Sequence, residues 1–154
     1  MLIRGCLPAD REPLASVVTS DQTFRADEVA VAFELIDAGL AGSSDYRLLA
    51  SELNGRIAGY VCFGPTPMTR ATWDLYWVVV DASARGQGVA PALLVAMEDA
   101  IRTAGGKHIR VETSETEGYG AARRLYAKLG YPEPVRLEDF YAPGDALLTY
   151  YKPV

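Results

Sequence analysis

Apolar residues recur along the chain in short runs separated by glycine, proline and asparagine, and the spacing within each run predicts an element. Met1 to Cys6 reads as an opening strand. Pro8 and Ala9-Asp10 suit the start of a helix that turns Leu14, Val17 and Val18 inward. A second helix is expected over Asp27 to Leu40, where Val29, Phe33, Ile36 and Leu40 share one stripe and Gly39 and Gly42 lie at or beyond its end. Tyr46 to Leu53 and Arg56 to Phe63 flank Asn54-Gly55, a pair that tolerates positive φ and so predicts a hairpin. Gly64-Pro65-Thr66-Pro67 then imposes a loop before a strand that begins near Ala71. Its Asp74 to Val80 portion is aromatic and β-branched, as a buried strand should be.

Beyond that strand, Leu94, Met97 and Ile101 mark one face of a helix ended by Gly105-Gly106, and His108 to Thr113 is strand-like again. Strand, helix, strand is the connection that makes two strands parallel. Tyr119 to Leu129 returns to helical spacing, with Ala122, Leu125, Tyr126 and Leu129 on one stripe and Gly130 as the stop. Pro132 to Glu138, a polar and aromatic loop from Asp139 to Asp145, and a last strand from Ala146 to Lys152 close the chain. The pattern is α/β with a mixed sheet.

Composition then sets bounds. With 154 residues, 49% hydrophobic and 23% charged, and no repeat or linker, residues 1–154 read as a single domain around one core. A net charge of −5 argues against a nucleic-acid or anionic-membrane surface, both of which need clustered Lys and Arg. Cys6 and Cys62 have neither metal-ligand nor CxxC spacing and read as buried thiols. No metal site is expected, and His108, the one histidine, reads as a strand-entry residue. Neither a signal peptide nor a membrane-length apolar run is seen, so the cytosol is the expected compartment.

The candidate chemistry begins at Arg85-Gly86-Gln87-Gly88-Val89-Ala90, between the aromatic strand and the helix after it. Unpaired N–H groups of that helix's first turn point into the elbow, the helix dipole favours negative charge there, and Gly86 and Gly88 carry no side chain to block a phosphate. Pro91 is tolerated because its missing N–H has no helical partner in the first turn. A P-loop would need Gly-Lys-Ser/Thr and a Rossmann fingerprint three glycines, and neither is present. A structural glycine turn and a site for another nucleotide remain alternatives at this point.

Arg-x-x-Gly-x-Ala resembles the signature of the GNAT superfamily of N-acetyltransferases, whose loop and helix terminus bind the pyrophosphate of acetyl-coenzyme A. Ala122-Arg123-Arg124-Leu125-Tyr126-Ala127-Lys128-Leu129-Gly130-Tyr131 is similar to the second signature of that family. Two motifs in order are more specific than either alone. The resemblance implies a single-domain GNAT fold, α/β or α+β, of about seven strands and four helices with a splayed central parallel pair. It also implies acetyl transfer from acetyl-coenzyme A to a primary amine by direct attack. A module that binds or senses acyl-coenzyme A without turnover is the alternative.

The resemblance assigns residues as follows. The pantetheine arm would pair with the main chain of Val78, Val79 and Val80, and the pyrophosphate would meet Arg85, Gly86, Gln87, Gly88, Val89 and Ala90. Ser114 stands near where many members carry an Asn, so its hydroxyl would replace that contact. Tyr126 matches the tyrosine aimed at the departing sulfur; a core tyrosine is the competing reading. Asp74 is the candidate base, against a structural strand-end carboxylate. Glu34, Tyr76, Glu112 and Tyr141 would edge the acceptor site, against a solvated acidic face for Glu34 and plain packing for Tyr141 and Phe140. Arg123, Arg124 and Lys128 would meet the coenzyme's 3′-phosphate or form a solvated basic face. A homodimer is compatible with all of this.

Overall fold

A computed structural model describes residues 1–154. Strand β1 (Leu2–Gly5) leads through a short 3-10 turn to helices α1 (Arg11–Ser20) and α2 (Ala26–Leu40). Strands β2 (Arg47–Leu53), β3 (Arg56–Pro65) and β4 (Thr72–Val80) follow, then α3 (Val89–Thr103), β5 (His108–Ser114), α4 (Gly120–Lys128), β6 (Val135–Ala142) and β7 (Asp145–Pro153). One seven-stranded sheet results, in the order β1-β2-β3-β4-β5-β7-β6. The β4–β5 pair is parallel and every other neighbour is antiparallel. Asn54 and Gly55, at φ 52° and 75°, make the tight β2–β3 turn their sequence predicts.

Helices cover both faces. Val89, Leu93, Leu94, Met97 and Ile101 of α3 pack with Tyr126 of α4 on Val61, Phe63, Trp73, Leu75, Ile109 and Val111. Leu14, Val17 and Val18 of α1 and Ala32 and Ile36 of α2 pack on the opposite face, against Tyr60, Cys62 and Val79. From Tyr60 to Phe63, strand β3 alternates between the two clusters, as a two-residue side-chain period requires. Strand β4 does not. Phe63 faces Leu75 and Cys62 faces Trp77, so Tyr76 is an extra residue in β4, a bulge. The bulge reverses the alternation: Trp73 and Leu75 face α3, whereas Val79 faces α1.

Some boundaries depart from the sequence reading. The segment expected as a loop after Glu138 stays extended as far as Ala142, which pairs with Asp145, because Asp139 adopts φ 52° and lets the strand kink and continue. Every residue of β6 is exposed at the sheet edge. Cys6 is only partly buried, unlike Cys62, because it lies beyond the end of edge strand β1. Burial still pushes both thiols up to about 12. No helix is long and apolar enough to cross a membrane.

Candidate active site

The elbow is built from consecutive local devices. Asp81 ends β4, and its carboxylate accepts the Ser83 N–H at 2.9 Å, capping the turn Ala82–Ala84. Gly86 and Gly88 follow at φ 75° and 78°, and Gly88 is the left-handed N-cap of α3. A Cβ on either glycine would meet nothing within 4 Å, so the space before the helix terminus is open; it is the positive φ that asks for glycine. No acidic side chain stands in the first turn of α3. The arrangement fits a phosphate-bearing ligand: free N–H groups, a favourable dipole and an unobstructed approach. Val89 is turned into the core, so its main chain alone is available, while Arg85 and Gln87 are exposed. Arg85 is already paired, its Nη2 lying 2.7 Å from an Asp21 oxygen just after α1. Gln87 reaches back to the Ser83 carbonyl.

From the elbow, β4 runs back to a fork. Parallel pairing with β5 stops at Leu75↔Val111, although β4 continues to Val80 and β5 to Ser114. Val78, Val79 and Val80 therefore pair only with β3, and the β5 side of that stretch is open for a ligand's amides. At the fork, Asp74, Leu75, Tyr76, Arg110, Glu112 and Tyr141 line a cleft of about 220 Å³. Asp74 is buried and both its oxygens accept from Arg110, Nε at 2.7 Å and Nη2 at 3.1 Å. Glu112 is 45% exposed, with its nearest charge partner Arg110 Nη1 at 3.7 Å. Burial, aided by Asp74, pushes the Tyr76 phenol up to about 12, and burial with Glu112 and Asp145 raises that of Tyr141. Both phenols thus stay protonated and can donate.

Four of the residues singled out from sequence, Asp74, Tyr76, Glu112 and Tyr141, meet in this one cleft. Glu34 does not: it is exposed on α2 and is not part of the cleft wall. Tyr126 is 4% exposed, with its ring 5.5 Å from Tyr131 and 5.2 Å from Tyr150. Burial, with the neighbouring Tyr150, raises its phenol well above the usual range. Ser114 donates to Asp145 and is bonded by the Thr116 hydroxyl and N–H, which saturates a hydroxyl's one donor and two acceptor places. A cofactor amide would have to displace one of these. Arg123 spends Nη1 on the carbonyls of Ser114 and Thr116, so it closes the end of β5. His108 does open β5, stacked on Tyr151 at 4.8 Å.

Three links were invisible in the sequence. Arg110 binds Asp74 across a parallel pair, Asp21 binds Arg85, and the Tyr119 hydroxyl donates to Glu28 at 2.6 Å from 91 positions away. Each depends on register between distant segments. A parallel-strand assignment with correct register would have exposed only the first.

The model of the acetyltransferase (GNAT) family matches residues 16–131. A crystal structure from Desulfovibrio desulfuricans, described as a candidate acetyltransferase of the GNAT family, superposes with a TM-score of 0.93 at 34% identity, over 99% of this chain and 98% of that one. An aminoglycoside 6′-N-acetyltransferase complexed with coenzyme A has a TM-score of 0.77 at 16% identity, covering 99% and 97%. The ribosomal-protein-S18-alanine N-acetyltransferase of Escherichia coli reaches 0.78 at 18%, covering 99% and 93%. At these two lower identities the likeness is one of fold. No curated protein sequence matches the chain.

Proposed function

The chain belongs to the GNAT family of acetyltransferases, and from that premise we propose that it moves acetyl from acetyl-coenzyme A to a primary amine. One observation carries the reading: the anion-receptive elbow and the small polar cleft lie at opposite ends of the same unpaired stretch of β4. Tyr76 to Val80 spans about 13 Å of extended chain, on the scale of an extended pantetheine arm. A donor held at the elbow by its pyrophosphate would thus deliver its thioester to the fork.

Gly86, Gly88 and the first N–H groups of α3 would hold the pyrophosphate, with Arg85 and Gln87 at its edge. The main chain of Val78 to Val80 would pair with the pantetheine amides. In the cleft, Glu112 is the open carboxylate and receives the acceptor ammonium, with Tyr76 and Tyr141 as donors beside it. After the ammonium gives up a proton to water, its lone pair attacks the thioester carbonyl carbon. A C–N bond forms, the C–S bond breaks, the nitrogen releases its second proton, and the thiolate takes one proton, so that one proton in all passes to solvent. Tyr126, kept protonated by burial, is the proposed source of that proton. Asp74 acts as the base in this reading only if Arg110 releases one of its oxygens.

The dense packing of Tyr126 supports a second reading, an acyl-coenzyme A sensor without turnover. A free-thiol assay with acetyl-coenzyme A and a panel of primary amines separates the two. Amine-dependent thiol release is the expected result. Donor binding with no release for any amine would favour the sensor.

A further inference from the structure

The cleft at the fork contains a cation between two anions, and that order of charge narrows the class of amine. Asp74 and Arg110 are register partners on β4 and β5, one pair before the strands part. Their two-point contact removes Asp74 as a receptor for a second ammonium. The Arg110 side chain remains 40% exposed, and its Nη1 stands 3.7 Å from Glu112, too far for a hydrogen bond. The cleft therefore presents one available carboxylate and, about one ion-pair distance away, one guanidinium nitrogen with donors to spare.

A simple alkylamine bound at Glu112 would lay hydrocarbon against that guanidinium, and a diamine would bring it a second positive charge. Both leave a polar group unmatched or repelled. An α-amino group carries its own carboxylate or amide oxygen three bonds away, which matches both charges at once. At about 220 Å³ the cleft is smaller than ordinary ligand pockets, so it suits a head group of this size. We infer that Arg110 and Glu112 form a dipolar receptor, and that the acceptor is an α-amino acid, free or as the first residue of a peptide, its carboxylate or amide oxygen bound by Arg110. This rests on the N-acetyltransferase reading above.

The test compares three matched sets at saturating acetyl-coenzyme A, scored by thiol release: the common amino acids, their primary amides, and the corresponding decarboxylated amines. The expected result is that an acid or its amide exceeds its decarboxylated partner by about 10- to 100-fold in kcat/KM, the range of a charge-assisted hydrogen bond. Preference for the acid identifies a free amino acid, and preference for the amide identifies a peptide N-terminus. Arg110→Met paired with Asp74→Asn, which leaves no buried charge unpaired, should erase that preference chiefly through KM, and Arg110→Lys should restore part of it. Unchanged acetyl-coenzyme A affinity confirms that the variants fold. Equal or better turnover of the decarboxylated amines, or a preference that survives loss of Arg110, overturns the inference alone, whereas donor binding with no turnover across all three sets overturns it together with the transferase reading. Failure to bind acetyl-coenzyme A overturns the parent reading with it.

Discussion

Tyr126 lies on the buried face of α4, where an aromatic ring is needed for packing whether or not its hydroxyl takes part in chemistry. Removing only the hydroxyl separates the roles. Tyr126→Phe should lower kcat by about a hundredfold or more, the usual worth of a general acid, with acetyl-coenzyme A affinity nearly unchanged. An unaltered kcat would return the residue to the core. At this scale the sequence was a good guide to which residues gather and a poor guide to what they touch. Asp74, Tyr76, Glu112 and Tyr141 share the cleft, yet Arg110, which commits both oxygens of Asp74, drew no attention. Its charge is ordinary on a strand; its partner is set by the β4–β5 register, which no local pattern encodes. Ser114 is a similar case, since the turn that saturates its hydroxyl joins β5 to Asp145 at the start of β7.

The elements themselves were mostly legible, because each is closed by a residue with a physical reason to close it: Asn54-Gly55 at the hairpin, Gly88 before α3 and Gly130 after α4. The exception is β6, whose polar, exposed composition reads as loop and whose pairing depends on a kink at Asp139. The entry to α1 depends on charge. Arg4 of β1 makes a two-point contact with Asp10 and also binds Glu52 of β2, while Asp10 accepts the Leu7 N–H at 2.7 Å. Arg4→Met leaves a mostly buried carboxylate without its cation and should cost about 2 kcal/mol at pH 7. The hydrogen bonds from Arg4 hold the Asp10 carboxyl below its usual range. The stabilisation is therefore present above the unfolded pKa of about 4 and is lost as pH falls through the lower folded value. Urea unfolding of both proteins should show a gap that narrows below pH ~4; a gap independent of pH would contradict the assignment.

At the scale of the whole molecule, one irregularity organises the rest. A bulge at Tyr76 and the end of parallel pairing at Leu75↔Val111 open the middle of the sheet, and the chain places an anion-receptive helix terminus at one end of the opening and a charged cleft at the other. The sequence signalled the helix terminus through its glycines and the parallel pair through strand-helix-strand order. The opening beside Val78 to Val80 was expected from the family resemblance and from no local pattern, because it results from where two distant strands stop pairing. The account as a whole depends on that opening accepting acetyl-coenzyme A. The most direct test is calorimetric titration of the protein with acetyl-coenzyme A, alongside Gly88→Glu, which puts a side chain and a negative charge at the helix terminus. Binding by one equivalent in about the micromolar range, abolished in the folded variant, is the predicted result. No heat of binding up to about 1 mM, or equal binding by Gly88→Glu, would contradict it.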